Sequence, residues 1–108
     1  MQHDLKACIN ACYQCAEACD HCAASCLQEP DIDMMRGCIG LDVQCAAICR
    51  LAAQFMTLES KHARQLCQVC AEVCQACAGE CGQHQHEHCQ QCAQACRQCA
   101  EACRSMAA

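Results

Sequence analysis

The chain has 108 residues and a formal charge of -5, with 12 acidic and 7 basic residues interspersed along its length, which leaves no basic stripe for nucleic acid or an anionic membrane surface. Leu, Ile, Val and Phe together number only 14, while 19 Cys and 20 Ala take their place, so the one small core that a single domain of residues 1–108 can hold is not an ordinary aliphatic one. One Pro, two aromatics (Tyr13 and Phe55) and the abundance of Ala point to an all-α fold.

The first predicted helix covers about residues 3–27. Its cysteines, Cys8, Cys12, Cys15, Cys19, Cys22 and Cys26, step by four, three, four, three and four, the spacing that returns to one face of a helix. The N-terminal MQHDLKACINAC has no basic segment leading into an apolar one, and no apolar run of 18 residues is read anywhere, so a cytoplasmic protein with no membrane partner is expected. Thiols in the cytosol stay reduced, which turns a cysteine-rich chain toward metal. Geometry agrees: helix neighbours at i and i+4 hold Cβ atoms about 5–6 Å apart, wider than the roughly 3.5–4.5 Å of a disulfide.

Pro30 closes the first helix and Asp31 is the expected N-cap of a second, about 31–56, with Asp33 at the positive end of its dipole. Its sulfur seam is thinner, Cys38, Cys45 and Cys49, and Asp42 stands where another thiol would fit; it is read as a seam residue reaching solvent in preference to an occasional ligand. Ile39, Val43, Ala46 and Ala47 form an apolar stripe that either packs beside a neighbouring helix, the more frequent use, or makes an oligomer contact. Ser60 is the expected N-cap of a third helix, about 60–82, carrying Cys67, Cys70, Cys74, Cys77 and Cys81, with Ala63, Leu66, Val69, Val73 and Ala76 beside them for packing. After QHQHEH a fourth, about 86–105, carries Cys89, Cys92, Cys96, Cys99 and Cys103. Four long helices with short connections predict an antiparallel up-down-up-down four-helix bundle, with cysteine in the seam positions normally given to Leu and Ile.

A core of Cys and Ala sacrifices apolar burial unless something binds the sulfur. Soft thiolates select Cu(I), zinc and iron–sulfur clusters. The C-x-x-C-x-x-x-C fragments lack the full ferredoxin spacing and trailing proline, and thiols strung along a helix suit linear or trigonal coordination. Eight C-x-x-x-C pairs can be drawn (8/12, 15/19, 22/26, 45/49, 70/74, 77/81, 92/96 and 99/103), leaving Cys38, Cys67 and Cys89 to bond across the bundle. One monovalent cation per thiolate neutralises the buried charge, whereas one zinc per thiolate leaves a large positive excess. The reading is therefore storage of multiple Cu(I), about one per cysteine, by a protein that is not an enzyme. An iron–sulfur electron carrier and a general zinc or cadmium buffer are the alternatives.

The chain resembles the bacterial copper storage proteins, specifically their cytosolic branch, over essentially its whole length: four cysteine-bearing helices, repeated C-x-x-x-C pairs, and the CAEAC segments at Cys15–Cys19 and Cys99–Cys103. The resemblance implies a homotetramer whose protomers each store many Cu(I) ions, bound chiefly by cysteine pairs. The copper donor and acceptor are not read from it.

The two ends of the bundle differ. Beyond the last cysteines at one end lie Leu5, Ala52, Ala53, Met56, Ala63 and Met106, with Phe55 and Leu58 nearby, expected to plug it. At the other lie Met34, Met35, His84, His86 and His88, candidate ligands at a mouth where Cu(I) passes from a donor to the thiols. His3, His21 and His62 are read as surface residues.

Overall fold

The structure is a computed structural model that describes residues 2–108, with side chains from Leu5 onward. Four helices, α1 (Gln2–Cys26), α2 (Ile32–Thr57), α3 (Ala63–Cys81) and α4 (Glu87–Ala107), form an elongated bundle of 44 × 17 × 17 Å. Each packs on its two neighbours in a closed ring: α1 on α2, α2 on α3, α3 on α4, and α4 back on α1. Short connections make successive helices antiparallel, so the α1–α2 and α3–α4 turns lie at one end and the α2–α3 turn at the other.

Local chemistry sets the ends. After Cys26 the chain turns through Leu27 N–H to Ala23 O, Gln28 N–H to Ser25 O and Glu29 N–H to Cys26 O, and Pro30, without an N–H, cannot prolong the helix. Asp31 is the N-cap of α2, as expected, but its side chain caps nothing; it reaches His86 instead. The α2–α3 turn closes with Glu59 N–H on Met56 O and Ser60 N–H on Phe55 O, a Schellman closure that places Glu59 at φ 54°, where glycine is the unstrained choice. α3 begins three residues later than Ser60 predicts. His62 is its N-cap, and the Ser60 hydroxyl accepts the His62 N–H at 3.0 Å. The α3–α4 loop is tied by Gln90, whose amide donates to Gly82 O at 3.0 Å and His84 O at 2.6 Å.

The core contains all nineteen cysteines, Met35, Met56, eight alanines and Asp42, and none of the fourteen Leu, Ile, Val and Phe residues is fully buried. The predicted packing stripes are corrected accordingly. Val43, Ala47, Val69 and Ala76 face solvent, and Ile39, Ala63, Leu66 and Val73 are half-buried. The alanines buried beside the sulfur seam are spaced seven apart on three of the helices, Ala46 and Ala53 on α2, Ala71 and Ala78 on α3, Ala93 and Ala100 on α4. Small residues at these seam positions let the helix axes approach closely, which pushes the thiols of four helices together.

α2 is long and apolar enough to cross a membrane by length and composition alone, with a mean hydropathy of 1.3. Its cysteines and the alanines Ala46, Ala52 and Ala53 lie instead on the face that closes the bundle core. His21 and His62 are exposed, as read from the sequence; His3 lies outside the described side chains.

Candidate metal centre

The four stripes merge into one connected body of sulfur. All nineteen thiols are free and at most 1% exposed. Six of the eight i, i+4 pairs have sulfurs 3.8–4.0 Å apart. Cys8 and Cys12 are joined through Cys103, at 3.8 and 3.7 Å, and Cys15 and Cys19 through Cys96, at 3.6 and 3.7 Å.

Contacts between helices are as close as those along them. Cys45 meets Cys15 at 3.8 Å and Cys74 at 3.5 Å, while Cys49 meets Cys70 at 3.6 Å and Cys99 at 3.8 Å. With a metal–sulfur bond of about 2.3 Å, trigonal coordination places sulfurs roughly 4.0 Å apart and linear coordination roughly 4.6 Å. The lattice is spaced for ions held between helices as much as along one. Groups of four sulfurs within 4.8 Å of one another recur down the bundle, and they interlock: Cys15, Cys19, Cys96 and Cys99 each belong to two of them.

The three cysteines left without an i, i+4 partner contact sulfur on other helices. Cys38 approaches Cys22 at 3.8 Å and Cys81 at 2.7 Å, Cys89 lies 3.8 Å from Cys22 and 3.9 Å from Cys26, and Cys67 faces the Met56 thioether at 3.7 Å.

Asp42 departs from its sequence reading. Its carboxyl does not reach solvent; it is 0% exposed, and Oδ1 accepts from the thiols of Cys92, Cys77 and Cys81 at 3.1, 3.3 and 3.4 Å. The three and four spacing that places it in the seam also points it inward, and thiols from α3 and α4 supply the donors that a buried carboxyl needs. Burial first, then the neighbouring Cys92 sulfur, pushes its pKa up to about 8.

At the mouth the predicted ligands separate into three kinds. His88 faces the sulfur: its Nδ1 lies 3.5 Å from Cys22 and Cys89 and 3.9 Å from Cys26, while Nε2 meets the Glu29 carboxylate at 2.8 Å. A ligating imidazole is oriented by just such a partner on its other nitrogen. His86 stacks on His88 with ring centroids 5.3 Å apart and faces Asp31 and Glu29, away from the thiols. His84 is turned to Glu80 at 2.8 Å, and Gly37 leaves room for that carboxylate, since a Cβ there would stand 3.3 Å from it. Met35 is fully buried, and Met34 is 68% exposed on the outside of α2.

Burial is the largest influence on two thiols here, pushing Cys26 up to about 11 and Cys89 further, whereas hydrogen bonds from Cys22 and then Cys81 hold Cys38 well below the usual thiol range. The far end is only partly plugged. Ala52, Ala53 and Met56 are buried, but Leu5, Phe55, Ala63 and Met106 are half-buried and Leu58 is 69% exposed.

Comparison with known proteins decides the family. The family model for copper storage proteins matches residues 1–108. The chain belongs to the copper storage protein family. Its fold superposes on a Cu(I)-bound copper storage protein, BsCsp3, with a TM-score of 0.93 and 50% identity, covering 97% of this chain and 99% of that one. It also superposes on the copper storage protein Ccsp of Streptomyces lividans, a structure loaded with 10 copper equivalents, with a TM-score of 0.94 and 39% identity over 97% of this chain and 84% of that one. The uncharacterised cysteine-rich protein YhjQ of Bacillus subtilis is 50% identical over 72 residues, 67% of each chain.

Two contacts at the ends of this copper storage protein's sulfur core escape its sequence. Glu29 sits in the α1–α2 turn, and nothing in Gln28-Glu29-Pro30 announces that it meets His88 and His86 across the bundle end. Met56 is read from the sequence as part of the plug, and in the structure its thioether lies 3.7 Å from the Cys67 thiol.

Proposed function

We propose that this chain stores Cu(I) in its core, about one ion per cysteine at saturation, held by the thiolates of all nineteen cysteines and released without chemical change. The observation that carries this reading is the interlocking of the four-sulfur groups. Groups that share Cys15, Cys19, Cys96 and Cys99 cannot each close around an independent divalent ion, whereas bridging thiolates with monovalent ions fill such a lattice at near-neutral charge. Each Cu(I) that binds a thiol still holding its proton displaces that proton.

Anaerobic titration of the reduced chain with Cu(I) against a strong chelator tests capacity. Saturation near 19 ions per chain is expected, and saturation at four or five overturns storage. The ions enter at the mouth, with His88, Cys22, Cys26 and Cys89 as the receiving set. His84, His86, Met34 and Met35 have supporting roles: Glu80 and Asp31 hold the two outer imidazoles beside the opening. Replacing His88 by Ala is expected to slow loading several-fold in stopped flow while capacity falls by no more than about one ion. Unchanged kinetics return the mouth to ordinary surface.

Storage by reduced thiols fits the cytoplasm and requires no catalytic group. Self-association into a tetramer is supported by an apolar outer face, where Tyr13, Val43 and Leu51 are 49%, 59% and 40% exposed. Tyr13 and Leu51 line one shallow groove there with Ala47.

A further inference from the structure

We infer that the end of the bundle opposite the histidines carries a Cu(I) site of mixed ligation, made by the Cys67 thiolate and the Met56 thioether at the floor of a solvent-connected cavity. The inference rests on the storage reading and adds to it a position where copper meets a neutral donor.

The two sulfurs are 3.7 Å apart and each is 1% exposed, a separation that suits one ion of about 2.3 Å bond length held in a bent or trigonal site. Cys8 and Cys103 are the thiols next to Cys67, so the site is the last step of the sulfur lattice. Immediately beyond it lies a cavity of about 240 Å³, bounded by Leu5, Met56, Ala63, Cys67 and Met106 and rimmed by polar groups including Arg64. Arg64 also binds the carbonyls of Ala107 and Ala108, at 2.9 and 2.6 Å, which holds the end of α4, and with it Met106, against the cavity. A plug would fill this space with aliphatic side chains, but the wall nearest the thiols is thioether.

The donor set has a chemical consequence. When Cu(I) binds, the Cys67 thiol gives its proton to solvent and forms one metal–sulfur bond; the Met56 thioether donates a lone pair and loses nothing, and no electron changes hands. The resulting site is neutral and has one weak ligand, whereas ions deeper in the lattice are held by thiolates alone. Copper here is the copper most readily displaced, and the cavity admits a small soft ligand to displace it.

The test uses the full chain labelled with ¹³C at its methionine methyl groups and titrated anaerobically with Cu(I) to saturation. The Met56 resonance is identified by its loss in Met56→Leu, a volume-conserving change. The expected result is a shift of the Met56 methyl as Cu(I) is added, absent in Cys67→Ala, with Met56→Leu saturating about one ion lower at an unchanged melting temperature of the metal-free form. A Met56 methyl unmoved at full capacity overturns the site and leaves storage standing. A wild-type capacity of only four or five ions overturns storage itself, and this site with it. A shift that persists in Cys67→Ala also overturns the inference, because packing changes then account for it.

Discussion

Filling the core with Cu(I) is expected to raise the melting temperature of this chain by more than about 25 °C, from the ordinary range near 45–65 °C to above 90 °C. The reasoning begins with what the core lacks. No Leu, Ile, Val or Phe side chain is fully buried, and the space is filled by nineteen cysteines, small alanines, two methionines and Asp42. Each buried methylene contributes about 0.8 kcal/mol, so a core of single-carbon side chains is short of apolar burial wherever a bundle would normally use Leu. Alanine-rich helices lower the cost of forming the secondary structure, but they do not replace tertiary packing.

Metal supplies what the side chains do not. A ligand that binds the folded chain and not the unfolded one stabilises it by RT ln(1 + [L]/Kd), and about 2.7 kcal/mol follows from each site held at one hundred times its Kd. Ions that bridge helices stabilise the bundle most, because unfolding separates their ligands. Cys45 with Cys74 at 3.5 Å and Cys15 with Cys96 at 3.6 Å are such bridges. Anaerobic calorimetry of the reduced chain with and without saturating Cu(I) measures the effect, and a strong Cu(I) chelator is expected to restore the lower transition. A difference below about 5 °C means that the ions occupy surface sites and that the core folds without regard to them.

What could be read from the sequence follows from which interactions obey a helical repeat. The seam did: every cysteine placed on a stripe by three and four spacing is buried, and the fourfold bundle follows from the number of stripes and the short loops. The flanks did not, because periodicity names a stripe without saying which of its two sides meets a neighbour. Val43 and Val69 were assigned inward on hydrophobicity and lie outward, since alanines at heptad spacing permit the closer approach. Partners across the bundle ends were equally hidden. Glu29 and His88 are 59 residues apart and meet only because antiparallel helices bring two turns to one end. Ser60 shows a subtler displacement, since its hydroxyl accepts a backbone N–H near the helix start, although the first helical residue is Ala63.

Asp42 is the residue whose sequence reading changed most, and it makes the metal-free chain's stability depend on pH in a direction opposite to that of paired surface carboxylates. Its folded pKa is raised from 3.8 to about 8, chiefly by burial. Below the unfolded value both states hold the proton and the folded state incurs no penalty. As pH rises from there toward 8, the unfolded chain releases the proton while the folded chain must keep it or bury a charge. The stabilising contribution is therefore complete at the acid end, declines across this window and is spent near pH 8. Between pH 5 and pH 8 the reduced, metal-free chain is expected to lose about 2 kcal/mol or more, roughly 10 °C in melting temperature for a chain of this size. Asp42→Asn keeps the shape, removes this titration and is expected to lose less stability than the wild type across the same interval, the remaining decline coming from the thiols as pH nears 8. Equal slopes in the two proteins would mean that the carboxyl reaches water, contrary to its four thiol donors and complete burial.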